Sequence, residues 1–257
     1  MSQQPFTDHF APVAASYADF RPSYPPALFA WLATLVPRHE LAWDCAAGSG
    51  QASVDLAAHF QRVVATDASR AQIDAAILHP RIDYRVAPAD ASGLAPASVD
   101  LITVAQALHW FDLTAFYAEV RRVLHPHGVL AVWTYGVLTV EGADIDALVQ
   151  HFYHDTVGPY WPPERAHVEN GYRSLPFPFE EINAPPFAME AVWTLPQLLG
   201  YFRSWSATGR FLAAIGHDPV TALEERLVPL WGETGRGRQV TWPLALRIGR
   251  GKGFQGR

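Results

Sequence analysis

Two aspartates and two glycines within one short stretch carry the first chemical signal in this chain. Asp44 ends an apolar run, Gly48 and Gly50 follow in a loop of small residues, and Asp67 ends a second apolar run, Val63-Val64-Ala65-Thr66. The whole segment from Leu41 to Asp67, LAWDCAAGSGQASVDLAAHFQRVVATD, reads as strand, tight loop, helix and strand. Such a βαβ unit binds nucleoside-containing ligands at the carboxyl edge of its strands. Gly48 and Gly50 would let a ligand approach the backbone with no side chain between. The Asp67 carboxylate is placed to accept hydrogen bonds from both hydroxyls of a ribose. Asp44 would repel a pyrophosphate and attract a cation. The pairing favours a ligand with positive charge near the loop and a ribose beyond it, which suits S-adenosylmethionine better than NAD.

These residues need a scaffold, and its rhythm is visible along the chain. Pro25-Pro26 starts a helix with the apolar face Leu28, Trp31, Leu32 and Leu35, stopped by Pro37. Strands are expected at about residues 41–46, 62–67, 82–86, 99–104 and 129–133. Between them a helix opens near Ser49, and a second, from Ser69, places Ile73, Ala76 and Ile77 on its buried side before Pro80. A third, from Asp112, shows Phe116, Val120, Val123 and Leu124 at helical spacing and ends at His125-Pro126-His127-Gly128. Strands alternating with helices imply a parallel sheet with right-handed crossovers. After Tyr135 the rhythm changes. Ile145, Leu148, Val149 and Phe152 mark a helix stopped by Gly158-Pro159, then residues 159–187 are rich in proline and aromatics without a period. Residues 188–194 and 240–248 read as sixth and seventh strands, with helices around Leu198–Trp205 and after Asp218-Pro219, the last kinked or ended by Pro229. The expectation is an α/β Rossmann-like fold with seven mostly parallel strands and an insertion after strand five. Residues 1–136 and 187–257 would form the core; 137–186, with helices in 196–232, would form a substrate-side cover.

Bulk composition narrows the class. In 257 residues, 49% are apolar and 17% charged, a globular balance, and net charge −6 argues against nucleic-acid backbone as a partner. After Glu233 the only charged side chains are basic: Arg236, Arg238, Arg247, Arg250, Lys252 and Arg257. They read as a solvated strand end, with phosphate binding as the alternative. The single cysteine, Cys45, allows no internal disulfide and suits a reducing compartment. Residues 1–30 lack the pattern of a secretory signal and no apolar stretch is long enough to span a bilayer, so a cytoplasmic protein without membrane contact is expected.

The order of motifs resembles a known family. DCAAGSGQ after strand one, TD after strand two, APAD after strand three and AQALHWFD after strand four look like the class I S-adenosylmethionine-dependent methyltransferases. Within them the chain is similar to the methyltransferase type 11 group, including trans-aconitate methyltransferase-like enzymes. FRPSYP, YWPPER, LPFPF and WPLALRIGR carry the likeness over nearly the whole length. The resemblance implies S-adenosyl-L-methionine as cofactor and a small-molecule acceptor. It implies that Asp44 meets the ligand's ammonium directly or through water, that Asp67 and Ala68 hold the ribose, and that Asp90 takes the adenine amino group with Ala89 and Ala91 beside it. Gln106 and Ala107 would line the methionine end. Tyr17, Arg21 and Tyr24 belong to a leading segment similar to a lid. One departure stands out: Ala46 occupies a position where the family carries glycine. Either Ala46 takes an ordinary backbone conformation, or the cofactor binds more weakly.

His109 is the candidate catalytic base. It follows strand four, where the family's acceptor pocket opens, and with an ordinary pKa of about 6.5 it could take a proton from a hydroxyl, amine or acidic carbon. The competing reading is that its ring packs beside Trp110 and Phe111 and only shapes the pocket. If the acceptor is a carboxylate, no base is needed. On the substrate side the candidates are Tyr24, Trp110, Tyr160, Trp161, Arg165 and Arg173, and the two arginines would suit an acidic acceptor. Their alternative is a small aromatic core with solvated arginines. No metal is expected, since His151 with His154 and His125 with His127 lack a third ligand. Two other functions stay open. Gly48-x-Gly50-x-x-Ser53 nearly meets the dinucleotide fingerprint of an NAD(P)-dependent oxidoreductase, although Ser53 stands where glycine or alanine is expected. Ala46 keeps open a cofactor-binding protein without turnover.

Overall fold

The computed structural model describes residues 22–251, so Tyr17 and Arg21 lie outside the described residues. One sheet organises them. Its strands are β1 (Leu41–Cys45), β2 (Arg62–Asp67), β3 (Ile82–Val86), β4 (Val99–Ala105), β5 (Leu124–Tyr135), β6 (Thr139–Val140), β7 (Glu180–Ile182), β8 (Phe187–Trp193) and β9 (Arg238–Arg250). The order runs β3-β2-β1-β4-β5-β9, with β1 to β5 parallel. β9 is antiparallel to β5, β6, β7 and β8, so the sheet is mostly parallel, as the alternation implies.

The seven-strand expectation needs correction, because the sheet has nine. The two additional strands are two and three residues long, too short to show a period. β6 continues the line of β5 along one edge of β9, and β7 precedes β8 along the other. Segment 137–186 therefore contributes strands to the sheet. It also fills both cores: Leu138, Tyr153 and Val157 pack on one face, and Val168, Tyr172 and Phe179 on the other.

Order at the sheet's amino edge comes from Asp100, whose Oδ2 accepts the Glu40 and Leu41 amides at 2.9 and 3.1 Å and so starts β1 beside β4. Helix α1 (Pro26–Thr34) buries Leu28, Phe29, Leu32 and Ala33. Helix α2 (Gln51–Ala57) follows the glycine loop. The helix expected from Ser69 is only one turn, α3 (Arg70–Asp74), and buries nothing; Ile77 and Leu78 are exposed. Polar Gln72 and Asp74 interrupt its apolar face. Helix α4 (Leu113–Val123) buries Phe116, Val120 and Val123 and is capped by Asp112, which accepts the Thr114 and Ala115 amides. Its end is not a loop, because β5 starts at Leu124. Helix α5 (Ala143–His151) runs into a π-turn, Phe152–Thr156, closed by the Val157 amide on the Phe152 carbonyl at 3.0 Å. Then come α6 (Arg165–Glu169), α7 (Leu195–Arg203), α8 (Ser206–Ile215) and α9 (Pro219–Trp231). Pro229 does not stop α9, which continues two residues further, since a proline near a C-terminus forfeits one hydrogen bond only.

Three arginines of β9 are engaged with the protein itself. Arg247 pairs with Glu181 at 2.6 Å, Arg250 donates to the Leu35 carbonyl, and Arg238 lies over the Trp231 ring. Among the described residues no helix is long and apolar enough to cross a membrane.

Candidate functional site

The strand order reverses direction between β1 and β4, so their carboxyl ends open a crevice. Asp44, near the end of β1, is 1% exposed. Its Oδ2 accepts from Ser53 Oγ at 2.6 Å and its Oδ1 from Thr103 Oγ1 at 2.8 Å, Thr103 being its neighbour across the β1–β4 pairing. Burial raises its pKa to about 6 against the lowering effect of both hydroxyls. Asp44 is thus a buried carboxylate held beneath the loop, not one facing open space. Ser53, the misfit in a dinucleotide fingerprint, is one of its two hydroxyl donors.

The loop itself is strained. Ala46 has φ +56°, so the ordinary conformation is excluded, and its methyl group sits in the left-handed region where glycine is at ease. Gly48, at φ +58°, is open: a Cβ there would meet nothing nearer than Gln72 Oε1 at 3.6 Å. Gly50 is different. Its missing side chain makes room for Tyr84, whose Oη would stand 2.2 Å from an added Cβ. Tyr84 in turn donates to the Ile77 carbonyl at 2.8 Å. Gly50 therefore serves the packing of β3 against the loop, and Gly48 is the glycine that leaves space.

Asp67 closes the same loop. Its Oδ2 accepts the Gly48 amide at 2.9 Å and its Oδ1 the Ser69 amide at 2.8 Å, with half-buried Ala68 between. One strand over, Asp67 pairs with Val86, and the chain continues through half-buried Ala89 to exposed Asp90 and Ala91. These expected ribose and adenine residues stand after neighbouring strand tips. The start of the described chain is tied in as well, because Gln51 Nε2 donates to the Pro22 carbonyl at 3.0 Å. Tyr24 is not open to a substrate: it is 4% exposed and packs edge-on against Trp133.

Beyond β4, Gln106 is a second strained residue, at φ +61°. β5 holds it: its amide donates to the Trp133 carbonyl at 2.9 Å, Thr134 Oγ1 donates to its Oε1 at 2.7 Å, and its Nε2 faces the Tyr135 carbonyl at 3.3 Å. Ala107 follows, half-buried. His109, in the short helix Leu108–Trp110, places Nδ1 3.0 Å from Tyr172 Oη. Its ring lies 4.6 Å from that of Trp110, which is 38% exposed, whereas Phe111 packs on Phe116 instead. Burial lowers the His109 pKa to about 4, helped by the charges of Arg165 and His167, so the ring is neutral at pH 7.

Arg165 links this helix to the aromatic segment. Its guanidinium lies 4.7 Å from the Trp161 ring and its Nε donates to Tyr153 Oη at 2.7 Å, which donates to Glu169 at 2.8 Å. A cleft of about 280 Å³ opens here, lined by Tyr153, His154, Trp161, Arg165 and Glu169 among others. The buried Trp161 Nε1 has no hydrogen-bond partner among the described residues. Tyr160 packs on Phe211, and Arg173 is exposed and does not line the cleft. Sequence reasoning missed Ser53, Tyr84, Thr103, Thr134 and Tyr172 as site residues. For Thr103 and Thr134 the available signal was a hydroxyl within an otherwise apolar strand. Among the described residues no three His, Cys, Asp or Glu side chains gather as metal ligands would.

Residues 43–132 match a family described as a methyltransferase domain. A protein of Dictyostelium discoideum named as a methyltransferase is 35% identical over 233 residues, covering 89% of this chain and 88% of its own. A solved structure from Anaeromyxobacter dehalogenans, described as a type II methyltransferase, shares 50% identity with a TM-score of 0.86, covering 90% of this chain and 98% of that one. A Saccharomyces cerevisiae protein named as S-adenosylmethionine-dependent is 31% identical over 132 residues, covering 48% of this chain and 45% of that one. The chain belongs to the class I S-adenosylmethionine-dependent methyltransferases. An NAD(P)-dependent oxidoreductase is not favoured. The residues present fit the cofactor: Gly48 leaves open space, the Asp67 carboxylate stands at a strand tip beside it, and exposed Asp90 makes no hydrogen bond among the described residues. When bound, S-adenosylmethionine supplies an electrophilic methyl group; the protein supplies position and, where needed, a proton acceptor.

Proposed function

We propose that this enzyme methylates a small acidic metabolite, as the likeness to trans-aconitate methyltransferase-like enzymes implies. The observation that carries this reading is the Arg165 guanidinium, stacked on Trp161 at the cleft and close enough to His109 to depress its pKa. A carboxylate in this cleft would meet a fixed cation and the unpartnered Trp161 N–H. Segment 137–186, with helices from 196–232, acts in this reading as the cover that excludes water and orients the acceptor. Trp110 and Tyr160 border the acceptor side, and Arg173 has no part.

On the cofactor side, Asp67 and Ala68 hold the ribose, Asp90 with Ala89 and Ala91 the adenine, and Gln106 with Ala107 the methionine end. Tyr17 and Arg21 contribute from the leading segment. Asp44, its oxygens engaged by Ser53 and Thr103, acts through its charge and by shaping the Ala46–Gly50 loop. His109 accepts the proton of an acceptor that carries one. A cytoplasmic location completes this reading, supported by the single, fully buried Cys45.

The test is methyl transfer from labelled cofactor to a panel of small mono-, di- and tricarboxylic acids and to neutral hydroxyl compounds. Turnover confined to acids, with Arg165→Gln raising KM about tenfold or more, is expected for loss of a charged contact. Turnover on neutral acceptors alone, indifferent to Arg165→Gln, overturns the acidic acceptor. Stabilisation by S-adenosylhomocysteine without turnover on any acceptor overturns the enzyme reading of this site.

A further inference from the structure

Glu119 is a buried carboxylate that the readings of cofactor and acceptor leave unused. It is 6% exposed in α4, where a charge is costly unless its oxygens are bonded. Both oxygens of Glu119 are. Oε2 accepts Arg122 Nε at 2.7 Å, and Oε1 accepts Arg122 Nη2 at 2.7 Å. Oε1 also accepts the Ser92 amide at 2.9 Å and the Ser92 hydroxyl. Arg122, then Ser92, hold the Glu119 pKa down to about 2 against its burial, so the group is ionised at neutral pH. The Arg122 pair lies within one helix and would form equally on a solvated face. What calls for burial is the grip on Ser92, itself 2% exposed and 27 residues earlier in the chain.

Ser92 lies two residues beyond Asp90, in the stretch 87–98 between β3 and β4, which has neither helix nor strand. The ends of that stretch are tied down. The Ala87 amide donates to the Asp67 carbonyl at 3.0 Å, and the Ala97 and Ser98 amides donate to the Arg122 and Val123 carbonyls, each at 2.9 Å. In its middle, the Ala91 amide closes a turn on the Pro88 carbonyl at 3.3 Å, and the Leu94 amide donates to Ser92 Oγ at 3.2 Å. Those two bonds are internal. Leu94 is buried, but an apolar contact has no direction. Among the described residues Glu119 is thus the group that joins the turn carrying Asp90 to the body of the protein by directed bonds. We infer that Glu119, fixed by Arg122, is a positioning residue for purine recognition: through Ser92 it sets where Asp90 stands, and hence which purine edge the site accepts. The inference rests on the reading of Asp90 as the adenine contact. Asp90 is exposed and makes no hydrogen bond of its own among the described residues, so the backbone alone places its carboxylate. A carboxylate placed there accepts from the 6-amino group of adenine and repels a 6-oxo group.

The experiment is calorimetric titration of the full chain with S-adenosylhomocysteine and with S-inosylhomocysteine, which carries a 6-oxo group in place of the 6-amino group. The wild type is expected to favour the adenine ligand about a hundredfold, the scale of a charged hydrogen bond, and Asp90→Ala to lose most of that preference. Glu119→Leu fills the buried position with neither charge nor acceptor and should bring the preference to within about threefold, because the Ser92 amide is released. Ser92→Ala keeps the amide bond and loses the hydroxyl, and should lower the preference about fivefold to tenfold. A merely structural role for Glu119 lowers Tm and weakens both ligands alike, so the ratio of the two affinities does not move. A wild-type ratio in folded Glu119→Leu, beside a lost preference in Asp90→Ala, overturns the inference and leaves the Asp90 reading standing. Where Glu119→Leu does not fold, a wild-type ratio in Ser92→Ala does the same. An unchanged ratio in Asp90→Ala overturns that reading and the inference with it.

Discussion

The Gly48 amide donates to Asp67 Oδ2 over 2.9 Å, so the acid at the tip of the second strand holds the loop that follows the first. The Ser69 amide takes the other oxygen at 2.8 Å. The two donors fix the orientation of the carboxylate. Asp67→Ala should weaken cofactor binding by about 1–3 kcal/mol, the scale of a lost charged acceptor, and lower Tm through the released loop. Calorimetric titration with S-adenosylhomocysteine checks the first effect and thermal unfolding the second. Unchanged affinity removes Asp67 from the site.

Gly50 and Gly48 should separate folding from binding. Gly50→Ala drives a methyl group into Tyr84 and should cost about 1–3 kcal/mol, the range for overpacking, with strain from the positive φ in addition. Tyr84→Ala in the same chain should return part of that loss. Gly48→Ala meets no such wall and should lose less stability but more cofactor affinity. Urea unfolding of the four proteins decides, and equal losses at both glycines contradict this division.

Ala46 carries a methyl group at φ +56°. Ala46→Gly should stabilise the fold by roughly 0.5–1 kcal/mol, the relief of left-handed strain net of the added freedom of the unfolded chain. Cofactor affinity should hold or rise. A destabilised Ala46→Gly protein shows that the methyl packs more than it strains.

Asp44 makes stability depend on pH. Its carboxyl titrates near 3.8 when unexchanged with the fold and at about 6 within it. Between those values the unfolded chain loses the proton first, so stability falls as pH rises and the full penalty, about 3 kcal/mol, is present above pH 6. In Asp44→Asn that slope disappears. Urea unfolding from pH 4 to 8 should show the variant gaining on the wild type up to about pH 6 and holding a constant difference beyond. A difference independent of pH contradicts the raised pKa.

The parallel order of the first five strands was legible because alternating apolar runs and helical periods extend over whole elements. Asp44, Gly48, Gly50 and Asp67 were legible because strand tips and turn glycines sit at set places in a βαβ unit. The α3 helix was overread, since Ile73, Ala76 and Ile77 keep a helical spacing that the structure does not bury. Two strands went unseen because β6 and β7 pair with β9 from some 100 and 70 residues away, and no local period announces such pairing.

By itself the amino-acid sequence determined the scaffold, the family and the acids at the strand tips, all set by local residue order. Only the tertiary structure decided how those acids are used. Burial turns Asp44 inward onto Ser53 and Thr103, packing assigns Gly50 to Tyr84, and the buried Tyr172 hydroxyl reaches His109. Each of these joins residues from separate elements, and hydrogen-bond direction in a site shielded from water depends on which atoms meet, a fact the linear order of residues does not contain.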